Sequence, residues 1–295
     1  MTLEQLRIFV AVAEREHVTR AAEALGIVQS AASAAIAALE SEHDVQLFHR
    51  VGRRIELTEA GRIFLTEARA VLARAQAAEL ALSELGGLKR GTLSIHASQT
   101  IGTYWLPAHL ARYRKAHPAI DVQLAIGNTT QVAAAVIAGT AELGFVEGEV
   151  DAPALSKKSI EGDRLAVVIA SGDAPAKSKK LTPADIQAMD WVLREPGSGT
   201  RAEFEAELRR RKIDPAALKV VLELPSNEAV RSAVLAGAGA TAISELVVAP
   251  GLRYGTLIQL DFAMPQRAFH ILRHKERYRS RAANALLEIV AEEKR

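Results

Sequence analysis

At 295 residues the chain exceeds what one small core can hold, so two domains are expected, or three if a divided domain is counted by its lobes. Its 49% hydrophobic and 24% charged residues are those of an ordinary soluble globular protein, and no apolar run reaches the ~18–20 residues that span a membrane. The absence of cysteine excludes disulfides, thiolate metal sites and cysteine nucleophiles, while a net charge of +2 does not by itself announce a nucleic-acid partner.

Met1 to Phe9 carry Glu4 and Arg7 and run straight into an amphipathic helix, so no secretory signal is read and a cytoplasmic location is expected. The spacing of Leu3, Leu6, Phe9, Val10 and Ala13 predicts a helix over Thr2 to Glu14. A second, short helix is expected over Thr19 to Leu25, capped by a hydroxyl and stopped by Gly26. A third covers Gln29 to Glu40, with Ala32, Ile36 and Leu39 inward. Val45 to Arg50 and Arg54 to Thr58 then alternate around Gly52 as a small hairpin, or wing.

Thr58 caps a long helix to about Leu85, with Ile63, Phe64, Ala68, Val71, Leu72, Ala75, Leu82 and Leu85 as one apolar stripe. At 1.5 Å per residue it is ~40 Å long, more than the small domain before it can cover. Gly86, Gly87 and Gly91 close it as a hinge. From Thr92 strands and helices alternate: strands at Leu93 to Ala97, Asp121 to Gly127, Leu143 to Val146 and Leu165 to Ala170, with helices at Thr103 to Ala116 and Gln131 to Gly139. A second set has strands at Trp191 to Arg194, Lys219 to Leu224 and Thr241 to Ile243, with helices at Thr200 to Lys212 and Asn227 to Gly237. Such alternation implies mainly parallel sheets, and two sets in tandem imply two α/β lobes with a cleft between them.

A helix, a turn at Gly26 and a second helix is the geometry that lays one helix in the major groove of DNA. The start of the third helix offers Gln29, Ser30 and Ser33, whose amide and hydroxyls match base edges. The first sixty residues hold six Arg against nine Asp and Glu, yet Arg50, Arg53 and Arg54 fall within five positions. On periodicity alone a three-helix bundle with polar caps remains open.

The spaced motifs add to this reading: Thr19, Ala21, Ala22 and Leu25; Gln29, Ala31, Ser33, Ile36, Leu39 and Glu40; Leu47, Phe48 and Arg50; Arg54, Leu57, Thr58, Ala60 and Gly61. In these, residues 2 to 65 resemble the start of LysR-type transcriptional regulators. The resemblance implies an α+β multidomain protein with an N-terminal winged helix-turn-helix, a long linker helix, and a C-terminal two-lobed α/β domain like type 2 periplasmic binding proteins. It places DNA contacts at Thr19, Gln29, Ser30, Ser33, Arg50, Arg53 and Arg54. Val28 stands where the family has a hydroxyl N-cap, and Ala34 and Ala35 where it often has a basic residue, which shifts phosphate anchoring onto the three arginines. The expected divisions are 1–60 for the DNA-binding domain, 61–90 for the linker and dimerisation helix, and 91–295 for the regulatory domain. Within the last, lobe I is about 91–161 and 266–295, and lobe II about 162–265.

In the C-terminal part, Ser98 and Thr100 sit at a strand end before a helix, and Ser198 and Thr200 repeat the arrangement between Gly197 and Arg201. Asn128 and Thr129 follow Gly127 as a third polar turn, and Glu147 and Glu195 lie at the same strand ends. Helix starts expose unpaired N–H groups that suit anions, although each hydroxyl can equally cap its own helix. These eight residues are the expected site of a small effector, an anion by the helix starts. The ligand's charge is left open, because Glu147 and Glu195 could repel a highly charged anion or hold a polar or cationic group of a zwitterion. The pattern Arg194 to Arg201, with Gly127-Asn128-Thr129 and Val146-Glu147-Gly148, resembles the family branch that regulates sulfur assimilation.

No cofactor or metal is expected, and no enzymatic role. The histidines at 17, 43, 49, 96, 109, 117, 270 and 274 are scattered without ligand spacing, and no nucleophile elbow is present. The expected partners are double-stranded DNA, a small effector, and further copies of the chain as a homodimer or, by resemblance, a homotetramer. No membrane partner is expected. A regulator whose C-terminal domain only oligomerises, without an effector, stays open.

Overall fold

The structure is a computed structural model that describes residues 1–51, 54–85, 91–173 and 180–292. Helix α1 (Leu3–Arg15) starts on a reciprocal cap, the Thr2 side chain accepting from the Gln5 amide and the Gln5 side chain from the Thr2 amide. Helix α2 (Val18–Leu25) is capped by a ring nitrogen rather than the expected hydroxyl: His17 Nδ1 accepts from the Arg20 amide at 3.4 Å. The helix begins one residue before Thr19, which leaves that hydroxyl inside the first turn. Gly26, at φ 68°, ends it. Helix α3 (Gln29–His43) has Val28 at its N-cap and no side-chain bond there. Ala21, Ala22 and Ala32 are buried with Phe9, Val12 and Leu39, and their short side chains let the three helices approach closely.

Strands β1 (Phe48–Val51) and β2 (Arg54–Leu57) pair antiparallel, Phe48 opposite Leu57. Glu40 ties this wing to α3, its Oε1 accepting the amides of Leu47 at 2.7 Å and Phe48 at 3.1 Å. Thr58 caps helix α4 (Glu59–Leu85) through the Gly61 amide at 2.9 Å, and a Cβ at Gly61 would overlap the Leu47 carbonyl. The single apolar stripe expected on α4 divides in two. Phe64, Leu65, Ala68 and Leu72 pack on the N-terminal core, whereas Ile63, Val71 and Leu82 are 64%, 41% and 71% exposed. The apolar band is wider than the face which the small helical core can cover.

The chain forms two compact units: Met1–Leu88 with Ile137–Thr140 and Glu276–Ser280, and Lys89–Val136, Ala141–Lys275 and Arg281–Arg295. In the second unit β3 (Gly91–Ser98) runs through a wide turn at Ile101–Trp105 into α5 (Leu106–Ala116). Then come β4 (Ile120–Gly127), α6 (Thr129–Ala138), β5 (Leu143–Glu147) and β6 (Leu155–Ile160). The chain crosses to a second lobe, lobe II, with β7 (Leu165–Ala170), α7 (Pro183–Ala188), β8 (Asp190–Arg194), α8 (Gly199–Arg210) and β9 (Lys219–Leu224). Helix α9 (Asn227–Leu235), β10 (Thr241–Ser244), α10 (Glu245–Arg253) and β11 (Leu257–Gln259) complete it, before β12 (Phe269–His274) and α11 (Arg281–Ala291) return to lobe I.

The expectation of mainly parallel sheets is corrected here. In the five-stranded sheet of lobe I, ordered β4-β3-β5-β12-β6, β3 is parallel to β4 and β5, but β12 is antiparallel to β5 and β6. The reason is the double crossing: β12 enters from lobe II and so runs against the strands that left lobe I. In lobe II, β10 and β11 flank β7 antiparallel, while β8 and β9 pair in parallel. The two crossings lie side by side, with Arg164 bridging Gln266 and the Arg267 amide donating to the Asp163 carbonyl at 2.9 Å. Leu93, Ile95, Phe145 and Phe269 centre one core, and Trp191, Phe204 and Leu208 another. These cores hold the C-terminal ends of β3, β4, β5 and β8 in place, and the candidate site is built on those ends. Among the described residues no single helix is long and apolar enough to cross a membrane.

Candidate functional site

On the N-terminal unit, Thr19, Gln29 and Ser30 are exposed and Ser33 is half-buried. The Gln29 amide donates to the Ser33 hydroxyl at 2.8 Å, so the two side chains hold one another on the first turns of α3. With Val28 at the cap, the N–H groups there have no side-chain acceptor, and an uncapped helix start suits a phosphate. Arg50 is exposed on β1. Arg53 and the side chain of Arg54 lie outside the described residues.

In the second unit, residues from both lobes converge on Glu147, the last residue of β5, which is 2% exposed. The Ser98 hydroxyl, at the end of β3, donates to one carboxylate oxygen, and the Thr200 hydroxyl, on the first turn of α8, donates to the other at 3.2 Å. Thr129, opening α6, donates to the Glu147 carbonyl at 2.8 Å. A Cβ at Gly199 would overlap that carbonyl, so the strand end and the helix start meet only because the residue is glycine. Ser198 caps its own helix, accepting from the Arg201 amide at 3.4 Å.

A second polar chain passes from lobe I to lobe II and back. Asn128 donates to Glu195 at 3.2 Å, and Arg194 grips both oxygens of Glu195, at 2.7 Å from Nε and 2.8 Å from Nη2. Arg194 Nη1 reaches Asn227 Oδ1 at 2.5 Å, and the Asn227 amide donates to Thr100 at 3.1 Å. Burial alone would raise the Glu195 carboxyl, but the hydrogen bonds and charge of Arg194, with Asn128, hold it below the usual carboxylate range. The expected effector residues thus fall into two groups: Ser98, Thr129 and Thr200 around Glu147, and Thr100, Asn128 and Glu195 around Arg194, with Ser198 beside them as a helix cap.

Sequence reasoning missed Asn227, Arg267 and Asp163. Asn227 was legible as the start of α9, a third helix N-terminus in lobe II. Arg267 and Asp163 carry no motif, because each sits in a crossing segment between elements. Arg267 donates to Asp163 at 2.5 Å from Nε and 3.1 Å from Nη2, and its Nη1 lies 3.4 Å from the Thr200 hydroxyl. Burial opposes its charge, yet Glu147 and Asp163 more than offset this and keep the guanidinium firmly protonated. Tyr104 and Glu228 add a further bond between the lobes, at 2.9 Å.

Comparison with known proteins agrees with this organisation. Residues 3–62 match the family described as "Bacterial regulatory helix-turn-helix protein, lysR family", and residues 86–295 match "LysR substrate binding domain". The chain is 34% identical to the "Uncharacterized HTH-type transcriptional regulator YeiE" of Escherichia coli (strain K12) over 290 residues, covering 98% of this chain and 96% of that protein. It is also 34% identical to a "Probable RuBisCO transcriptional regulator" of Trichormus variabilis (strain ATCC 29413 / PCC 7937), over 96% of this chain and 86% of that one. Full-length CbnR, solved with its target DNA, shares the fold at a TM-score of 0.71 and 23% identity, covering 99% of both chains. The chain therefore belongs to the LysR family of DNA-binding transcriptional regulators, with an N-terminal helix-turn-helix and a C-terminal effector-binding domain.

Proposed function

We propose that two copies of the chain read a DNA site with approximate two-fold symmetry, and that a small anion held between the lobes sets how they bind it. Gln29, Ser30 and Ser33 meet base edges, while Thr19, Arg50, Arg53 and Arg54 hold the phosphate backbone. The anion sits at Ser98, Thr100, Asn128, Thr129, Glu147, Glu195, Ser198 and Thr200. The observation that carries this is the buried network itself: hydroxyls and amides from both lobes meet in two clusters, each joining one lobe to the other, so a ligand bound there favours one closure angle. The functional divisions follow as 1–60 for DNA, 61–90 for dimerisation and 91–295 for the effector.

The exposed apolar face of α4, Ile63, Val71 and Leu82, is assigned to the same face of a second copy, since a two-fold partner presents an identical stripe. Pairing of such dimers into tetramers through the lobes extends the same reading. The pattern from Arg194 to Arg201 makes sulfur oxyanions the first effectors to try, and the naming of a relative as a RuBisCO regulator adds carboxylates of carbon metabolism.

The DNA half of the proposal is tested by salt. Each of Arg50→Ala, Arg53→Ala and Arg54→Ala is expected to weaken binding to all sequences alike and to flatten log affinity against log salt by ~0.9. Gln29→Ala and Ser33→Ala are expected instead to relax sequence preference, by about 1–3 kcal/mol for a lost paired base contact. An unchanged salt slope removes the arginines from the backbone. Selection of the wild-type motif by both helix variants removes Gln29 and Ser33 from base reading.

A further inference from the structure

Arg267 brings a full positive charge into the junction of the lobes with its side chain 4% exposed. Asp163 supplies one countercharge through two hydrogen bonds, and Ser244 fixes Asp163 from the start of α10. The remaining Arg267 Nη1 turns toward the Thr200 hydroxyl, at 3.4 Å. Beyond that hydroxyl lies the Glu147 carboxylate, which takes one hydrogen bond from each lobe.

Glu147 is therefore held as a bound anion would be held, by a hydroxyl from lobe I, a hydroxyl at a helix start in lobe II, and a buried guanidinium behind them. The charges of Arg267, Asp163 and Glu147 sum to one negative. A second anion entering beside Glu147 would meet its charge at about 5 Å, a repulsion of ~3 kcal/mol at an effective dielectric of about 20. The same anion entering in place of Glu147 would meet a neutral Arg267–Asp163 pair and two free hydroxyl donors.

Resting on the effector reading above, we propose that Glu147 is the resident occupant of the effector's anion position and that Arg267 is the cation facing that position. Effector binding is then an exchange. The Glu147 carboxylate leaves Ser98 and Thr200, the incoming oxyanion takes both hydroxyls, and Arg267 turns one N–H toward it without leaving Asp163. No bond is made or broken covalently. The ligand class is a small oxyanion or carboxylate that presents its charge where one side-chain carboxylate fits.

The test is calorimetric titration of the full-length protein with sodium sulfate, phosphate and acetate, in wild type, Glu147→Gln and Arg267→Lys. Glu147→Gln keeps the size of the side chain, removes its charge and replaces one of its two acceptor oxygens with an amide donor. It is expected to tighten anion binding on the order of ten- to a hundredfold, and sulfate should gain more than acetate because repulsion scales with the product of charges. Arg267→Lys keeps the charge but loses the fork, and is expected to weaken binding by about tenfold or more.

Equal anion affinity in wild type and Glu147→Gln overturns the exchange while leaving an effector between the lobes intact. Failure of all three anions to bind Glu147→Gln also overturns it. Wild-type affinity in a folded Arg267→Lys removes Arg267 from the site. The Glu147→Gln arm decides the exchange even if Arg267→Lys does not fold.

Discussion

Placing Glu at both Val71 and Leu82 is expected to convert the protein to monomers and to weaken binding to a two-half-site duplex by about a hundred- to ten-thousandfold. That is the range gained when the second of two linked contacts becomes intramolecular. The residues are chosen from the exposed face of α4: Val71 is 41% and Leu82 71% exposed, whereas Leu72 on the neighbouring face packs into the helix-turn-helix core. A carboxylate introduced at a two-fold contact meets its own copy, so the variant loses apolar burial and gains like-charge repulsion together. Leu72→Glu attacks the N-terminal core instead and is expected to lower thermal stability. Sedimentation velocity checks the first outcome. A double variant that sediments as wild type would move the dimer contact off this face.

Removing Asp163 is expected to cost about 3–5 kcal/mol, because it strands the buried Arg267 charge. The Asp163 and Arg267 side chains are 3% and 4% exposed, so water cannot take over from the lost carboxylate. Ser244 loses its acceptor at the same time. For a domain of this size each kcal/mol moves Tm by roughly 2–4 °C, so Asp163→Ala should melt roughly 6–20 °C below wild type. Glu147 still faces the guanidinium, which places the expected value toward the lower end. Removing both charges with Asp163→Ala and Arg267→Met should recover much of the loss, since a buried pair contributes less than an unpaired ion costs. A single variant melting within about 2 °C of wild type would mean that the crossing segments tolerate an uncompensated charge.

The N-terminal unit was legible because its constraints are local. Apolar spacing of Leu6, Phe9, Ile36 and Leu39, a stop at Gly26 and a cap at Thr58 each act within a few residues, and each has its place in the structure. The cap on α2 was misread because a histidine ring nitrogen did the work expected of a hydroxyl. In the second unit, the polar turns at Ser98, Asn128 and Thr200 were visible as strand-to-helix transitions. Their bonding to Glu147 and Glu195 was not, since it joins residues up to 67 positions apart in the chain. The sheet direction failed for the same reason. Strand β6 reads Leu-Ser-Lys-Lys-Ser-Ile and breaks the apolar alternation, α10 contains Pro250, and nothing local announces that β12 returns between β5 and β6. Helix α11, by contrast, has a strong apolar face, with Ala283, Leu286 and Val290 buried, and periodicity would have placed it.

An effector between the two lobes would bridge them through hydroxyls belonging to each. The most direct measurement of this bridging is calorimetric titration of sulfur oxyanions and small carboxylate metabolites against wild type and a Thr100→Val/Thr200→Val double variant. The substitution is nearly isosteric and removes one hydroxyl from each lobe. Thr100 and Thr200 are both fully buried, and each is bonded to a polar group of the opposite lobe, Asn227 and Glu147 respectively. At least one ligand should bind wild type and lose about tenfold to a thousandfold in affinity in the variant, at about 0.5–1.5 kcal/mol for each neutral hydrogen bond lost and more where the ligand is charged. Equal affinity of that ligand for both proteins would contradict the account and place the effector elsewhere.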